Sequence, residues 1–389
     1  MKIALVHDYL VQDGGAERVL KAFHEIWPDA PTYTLLYEPS KMGTHFRTKV
    51  IHTSFLQNFP FATTMYKWLL PLMPAATESH NLSAYDVVLS SASAFAKGVI
   101  TRADTLHICY CHTPTRYLWS DTHTFVHDLG VPALVRRILP LALTGLRAWD
   151  RIAADRVDKF IANSKTVQRR ISKYYGRDSI LIHPPVETSK FRAGTGSGGY
   201  YLAGGRLVAY KRFDVIVNAF NKLGLPLKIF GVGPEDRRLR AMARPNIEFL
   251  GRVRESLKPD LYANAIAYLH PQEEDFGITA VEAMAAGRPV IAYGKGGGSE
   301  TVINGKTGIH LEEQSWEELA NAVLCFEPAS FDPEAIRRHA QTFDIEIFKE
   351  RMKQYVDDSY ASWQQGEPSK QAVNQYLHET HRDRHPSIA

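Results

Sequence analysis

The sequence predicts an α/β protein with two successive parallel sheets, on three observations. Short apolar runs rich in Val, Ile and aromatic residues alternate with stretches of helical spacing. That alternation restarts after a glycine-rich segment, RAGTGSGG at 192–199. The 389 residues also suffice for two domains of roughly 150 residues each. Strands that alternate with helices favour parallel pairing, because each crossover helix returns the chain to the same end of the sheet.

In order, KIALVHDYL opens the chain as a strand and runs toward the pair Gly14-Gly15. AERVLKAFHEIW follows as a helix, with Val19, Leu20, Phe23, Ile26 and Trp27 forming its apolar stripe. DVVLSSA (86–92), LHICYCH (106–112) and DKFIANS (158–164) are further strands. After the glycine-rich segment, read as flexible, YYLAGGRL, LKIFGVG, IEFLGRV, AIAYLHP and VIAYG are strands. FDVIVNAFNKLG, DRRLRAMA, LKPDLYANA and TAVEAMAAG supply the helices between them. The expected organisation is a first domain at 1–185, a second at 186–345, a helix at 346–364 that returns to the first domain, and a polar, mobile tail at 365–389. His378, His381 and His385 in that tail read as solvated side chains rather than metal ligands.

Composition narrows the function. A net charge of +4 is too mild for a nucleic-acid partner. Cys109, Cys111 and Cys325 make no disulfide framework, and MKIALVHDYL lacks the basic region and cleavage site of a signal peptide. The expectation is a cytoplasmic chain with reduced thiols. Cys109-x-Cys111-His112 reads as strand alternation, with both cysteines on one face, rather than as a metal site. No apolar run approaches the ~20 residues of a membrane span.

The most informative stretch is QEEDFGITAVEAMAAGRPVIA at 272–292. It follows one strand, turns at Phe276-Gly277, forms a helix and enters the next strand. A helix start offers N–H groups with no intrahelical partner, and the helix dipole there favours an anion. Backbone at Gly277, Ile278 and Thr279 suits a diphosphate, with Gly277 allowing close approach. Glu282, one turn on, reaches ribose hydroxyls, and Glu274 on the other side of the turn reaches hydroxyls of the group the phosphate carries. The alternative on spacing alone is that both glutamates are solvated.

E-x7-E with Phe-Gly after the first acid, followed by EAMAAGRPVIA, resembles the retaining glycosyltransferases of family 4, which have the GT-B fold. DYLVQDGGAERVL (8–20), FIANSK (160–165), GGRLVAYKR (204–212), IFGVGP (229–234) and GGGSETVINGKTG (296–308) resemble further family landmarks in the right order. The resemblance covers most of residues 1–350. It implies two Rossmann-like domains with the ligand in the cleft between them. It also implies that Arg206 and Lys211 neutralise the donor diphosphate, that Glu282 binds ribose, and that Glu274 with the backbone of Phe276 to Thr279 holds sugar and phosphates. Gly14 and Gly15 approach the phosphates or the acceptor from the first domain, and His112 lies near the donor sugar's hydroxyls. The catalytic set is then Glu274, His112, Arg206 and Lys211. No carboxylate stands out as a covalent nucleophile, so a front-face mechanism is expected, in which the leaving phosphate oxygen takes the acceptor's proton. With no D-x-D near the donor site, transfer is expected without metal or other cofactor.

YCHTPTRYLWSDT (110–122) and LMPAATESHNLSAYDVVLSSASAFAKG (72–98) most resemble bacterial mannosyltransferases of polysaccharide and O-antigen assembly. That implies GDP-mannose as donor and a saccharide on a polyprenyl diphosphate as acceptor, with Arg116 and Tyr117 as acceptor-binding residues. FLQNFPFATTMYKWLLPLMP (55–74) and VPALVRRILPLALTGLRAWDRIAADR (131–156) are candidates for peripheral contact with the inner face of the cytoplasmic membrane, against domain-core packing as the alternative. Pro140 is expected to interrupt a long helix in the second of them. Rival functions are a glycosyltransferase using a UDP-sugar, a GT-B nucleotide-sugar isomerase, and a non-enzymatic nucleotide-sugar-binding subunit. A Rossmann oxidoreductase is disfavoured because GVGPED lacks the third glycine of G-x-G-x-x-G.

Overall fold

The computed structural model describes residues 1–122 and 133–366. They form two compact units: Met1–Ile182 with the chain from Lys349 onward, and His183–Phe348. The predicted α/β class holds in both.

The first unit has seven strands: β1 (Ile3–His7), β2 (Thr32–Thr34), β3 (Ile51–Thr53), β4 (Val87–Ala92), β5 (Leu106–Cys111), β6 (Lys159–Ala162) and β7 (Ser179–Leu181). All pair in parallel, in the order β3-β2-β1-β4-β5-β6-β7. Strands β1, β4, β5 and β6 are buried at every position, as a sheet covered on both faces requires. Helices α1 (Gly15–Ile26), α2 (Ala133–Asp155) and α3 (Lys165–Tyr175) supply crossovers. Cys109 and Cys111 share one apolar cluster with Ala4, Val88 and Phe160, as strand alternation predicted. Strand order reverses between β1 and β4, the position where open α/β sheets bind ligands.

Buried acids fix the loops around that point. Asp8, just after β1, accepts the backbone N–H groups of Ser93, Ala94 and Ala96, at 2.6, 2.9 and 2.7 Å. Asp150 on α2 accepts from Lys97, Thr115, Trp119 and Tyr175, at 2.5, 2.8, 2.7 and 2.8 Å. Burial opposes the charge on Lys97, but Asp150 outweighs it and raises the lysine's pKa. One expectation is corrected: α2 continues through Pro140. The ring removes one backbone donor, and the Thr144 hydroxyl donates to the Pro140 carbonyl at 2.9 Å in the following turn.

The second unit has six parallel strands: β8 (Tyr200–Gly204), β9 (Leu227–Phe230), β10 (Ile247–Gly251), β11 (Ala265–His270), β12 (Val290–Tyr293) and β13 (Gly308–Leu311). Their order is β10-β9-β8-β11-β12-β13, with the reversal between β8 and β11. The longer helices are α4 (Phe213–Leu223), α5 (Asp236–Met242), α6 (Lys258–Ala263), α7 (Ile278–Ala285), α8 (Trp316–Leu324) and α9 (Pro333–Gln341). Helix α10 (Ile345–Gln364) begins in this unit and ends in the first. There Lys349 pairs with Glu25 at 3.1 Å, and Arg351 donates to the Leu181 carbonyl at 2.9 Å.

A second correction concerns the glycine-rich segment. It is fastened rather than loose: the N–H groups of Gly194, Gly196 and Gly198 donate to the carbonyls of Ala286, Ala263 and Asn264. A Cβ on Gly194 would lie 2.0 Å from the Ala263 oxygen. Close backbone approach, not flexibility, explains that glycine. The tail from residue 367, with His378, His381 and His385, lies outside the described residues.

Candidate functional site

In the second unit, the predicted residues gather where the strand order reverses. Strand β11 ends at His270, the loop carries Glu274, and Gly277 turns the chain into α7 with φ of +90°. No side chain caps this helix start. A Cβ on Gly277 would stand 2.8 Å from Nε2 of His270, so both φ and space demand glycine. Phe276 points its ring inward, 5.3 Å from His183 and 5.5 Å from Phe343. Its backbone, with that of Ile278 and Thr279, forms the turn.

Lys211 lies in the short turn between β8 and α4, and its Nζ pairs with Oε1 of Glu274 at 2.5 Å. The two side chains are 13% and 15% exposed. Burial works against the lysine's charge, but Glu274 overrides it and raises the pKa, while the charge of Arg206 acts in the opposite sense. Arg206 itself is exposed, just beyond β8. Gly205, at φ of +131°, leaves room for Lys211: a Cβ there would stand 3.1 Å from Nζ. Glu282 is 2% exposed and accepts the Tyr262 hydroxyl at 2.8 Å. The carboxylate expected to reach ribose hydroxyls is thus also held from within the unit.

The remaining predicted residues belong to the first unit. Gly14 is the N-cap of α1, and its N–H donates to Oε2 of Glu17 at 2.8 Å. His112 follows β5, where its Nε2 faces the Ser91 hydroxyl at 2.8 Å. Burial pushes its pKa down to about 3, with a smaller contribution from His7, so the ring is neutral. Ser91 also meets Nδ1 of His7 at 3.1 Å, and Nε2 of His7 lies 3.7 Å from Oε1 of Glu17. One polar chain therefore joins Gly14 to His112 through Glu17, His7 and Ser91. Its direction follows from donor counting. The Glu17 carboxylate favours the proton on Nε2 of His7, leaving Nδ1 to accept from Ser91. The serine oxygen then accepts from Nε2–H of His112, whose Nδ1 lone pair is left for a hydroxyl. Arg116 pairs with Asp121 at 2.7 Å. The Tyr117 hydroxyl is enclosed, and burial and nearby Asp150 raise its pKa.

His7, Ser91, Glu17, His270 and Gln272 were not picked out from sequence. His270 is fully buried, with its Nδ1 2.8 Å from the Gln272 amide and its Nε2 without a partner. Burial lowers its pKa to about 4, against the pull of Glu274. A signal existed only for Glu17, three residues after a helix cap. Among the described residues no group of His, Cys, Asp and Glu could hold a metal ion.

Two family models match the chain consecutively. Glycosyltransferase Family 4 matches residues 13–190, and Glycosyl transferases group 1 matches residues 188–341. The chain thus carries domains of both types. A GDP-mannose-dependent alpha-(1-6)-phosphatidylinositol monomannoside mannosyltransferase of Mycobacterium tuberculosis is 31% identical over 218 residues, 48% of this chain and 56% of that protein. A D-inositol 3-phosphate glycosyltransferase of Rhodococcus erythropolis is 27% identical over 227 residues, 49% and 51% of the two chains. The chain thus spans about half the length of the curated relatives it matches. Among solved structures, Anabaena Alr3699/HepE in complex with UDP-glucose aligns with a TM-score of 0.70 at 18% identity, covering 92% of this chain and all of that one. Sucrose-phosphate synthase of Thermosynechococcus elongatus aligns with a TM-score of 0.72 at 16% identity, covering 93% and 100%. The fold is GT-B, with two Rossmann-like sheets.

Proposed function

We propose that this chain, a glycosyltransferase family 4 domain followed by a glycosyl transferases group 1 domain, moves a hexose from a nucleoside diphosphate sugar to a saccharide acceptor with retention of configuration. The observation that carries the reading is the Lys211–Glu274 pair beside the uncapped start of α7. A cation and helix-end N–H groups suit a diphosphate, and an adjacent carboxylate suits sugar hydroxyls. Arg206 adds a second positive charge just beyond β8. Glu282 takes the ribose. As the glycosidic bond to phosphate breaks, Lys211 and Arg206 stabilise the charge that develops on the leaving oxygen. That oxygen accepts the acceptor's proton on the same face. His112 holds a donor-sugar hydroxyl through its Nδ1 lone pair. The protein supplies position and field rather than a covalent nucleophile.

For the donor we propose GDP-mannose, a reading supported by several relatives that are GDP-mannose-dependent mannosyltransferases. For the acceptor we propose a polyprenyl-diphosphate-linked saccharide of bacterial polysaccharide or O-antigen assembly, met at the inner face of the cytoplasmic membrane, with Arg116 and Tyr117 on the acceptor side.

The deciding experiment is a thermal shift against GDP, UDP, ADP and dTDP at matched concentration. Ligand at 100 times its dissociation constant adds roughly 2.7 kcal/mol, a readable shift. GDP is expected to give the largest shift, and Lys211→Ala to abolish it. A larger response to UDP replaces the donor, and no response to any nucleotide removes the site. Turnover is expected to survive excess EDTA, since Lys211, Arg206 and the helix end neutralise the diphosphate; strict dependence on an added divalent cation would overturn that assignment.

A further inference from the structure

The segment from Phe55 to Leu72 keeps an unusual set of side chains in solvent. Phe55, Phe59, Phe61, Met65, Trp68 and Leu72 are all exposed, Phe61 by 77% and Trp68 by 60%. Other side chains of the same region, Leu56, Ala62 and Met73, are buried in a cluster with Leu143 and Leu146 of α2, and Tyr66, Leu69, Leu70 and Leu139 pack against it. The two candidate membrane stretches are thus one packed structure, each half buried and each keeping apolar side chains outside. On α2, Leu141 is exposed by 76% and Ile152 by 56%.

Up to residue 149 the charge in the two stretches is of one sign; beyond it Asp150 is buried against Lys97 and Asp155 pairs with Arg151. Residues 51–77 and 133–149 contain Lys67, Arg136, Arg137 and Arg147 and no carboxylate. From outside them, Glu38 takes the hydroxyls of Ser40 and Thr63, and Glu78 accepts from Trp149 while pairing with Arg156. Strain adds a second observation. Phe61 has φ of +57°, in the left-handed region that a bulky residue rarely occupies. Its ring meets little of the fold that could offset this, so the residue is held against its own backbone preference at an exposed position. Such strain points to use rather than to stability.

We propose that this surface docks on the interface of a bilayer bearing anionic head groups. Aromatic and leucine side chains suit the boundary between head groups and acyl chains, and a set of cations without carboxylates suits an anionic surface. No described helix is long and apolar enough to cross a membrane, so the contact is peripheral. The surface gives the lipid-linked acceptor reading its location and rests on that reading for its purpose.

The test is flotation of the full chain with vesicles of phosphatidylcholine alone and of phosphatidylcholine with phosphatidylglycerol, comparing wild type, Phe61→Asn and Trp68→Ser. Wild type is expected to float with the phosphatidylglycerol vesicles only, less so at high salt, and each variant to bind at least tenfold more weakly. Phe61→Asn is also expected to melt no lower than wild type, because asparagine tolerates the left-handed conformation. Wild type left unbound, or variants that float equally, would overturn the proposal. So would a concentration-dependent dimer that both variants abolish without any vesicle binding, which would assign the surface to a second copy. The GDP-induced thermal shift, measured on the same three proteins, is expected to be equal in all. Its absence from wild type would instead count against the donor site.

Discussion

Ser91 joins two histidines, and that makes it the most exposing test of the first unit's polar chain. Removing its hydroxyl strands Nδ1 of His7 and Nε2 of His112. Loss of a buried hydrogen-bond partner costs about 1–3 kcal/mol. Ser91→Ala is therefore expected to lower the melting temperature and, by freeing the His112 tautomer, to reduce turnover about tenfold, a typical cost for a residue that orients another. Ser91→Thr keeps the hydroxyl and should restore turnover; equal loss in both variants would show a packing role only. In the second unit, Glu282→Gln is the fair probe of ribose binding. It keeps an acceptor for the Tyr262 hydroxyl, whereas alanine would leave that buried group unpaired. The expected outcome is a folded protein with a much smaller GDP shift. Sequence could name His112 and Glu282 because a family pattern carries them. It could not name Ser91, and beyond it His7, as the support of His112: His7 and Ser91 are 84 positions apart and meet only because β1 and β4 are neighbours in the sheet.

At the scale of elements, what could be read was what is long and continuously apolar. β1, β4, β5, β8 and β11 announce themselves as largely buried runs of five or six residues, and α1 and α4 as stripes. Strands β2, β3 and β7 were missed because each has three residues, too few for a period to register. The glycine-rich segment was misread because glycine's two uses, freedom and close approach, look alike in sequence. Helix α7 shows the second use at a point that matters. Gly277→Ala forces a Cβ against His270 and a side chain into positive φ. Such strained positions cost about 1–3 kcal/mol. The expected result is a lower melting temperature together with loss of the nucleotide response. His270→Ala opens the space, and adding it should recover part of the melting temperature. No recovery would mean that φ alone, and not the contact, requires glycine.

Over the whole molecule, buried histidines divide the two units by their response to acid. Burial lowers the pKa of His24 and His112 to about 3 and of His80 and His107 to about 4, all in the first unit. In the second unit His270 is lowered to about 4. The unfolded chain holds these imidazoles near pKa ~6.5. Between that value and the folded one, the unfolded state binds the extra proton, so stability is fully present above pH ~6.5 and is lost as pH falls. Each such histidine costs about 1.4 kcal/mol per pH unit in that window. These four act on the first unit, joined by His45, whose pKa burial also lowers, and one acts on the second, against total stabilities of about 5–15 kcal/mol for ordinary domains. Calorimetry from pH 7.5 down to 4.5 is therefore expected to move the first unit's transition far more than the second's and to separate the two. The nucleotide response identifies the peaks: GDP should raise the transition that acid spares, because Lys211, Glu274 and Glu282 all lie in the second unit. A single transition that still falls with acid would mean that the two units unfold together, whereas transitions that do not move with pH would mean that the histidines of the first unit are already charged in the folded protein. The neutral state of His112, and with it the lone pair assigned to the donor sugar, would then have to be given up.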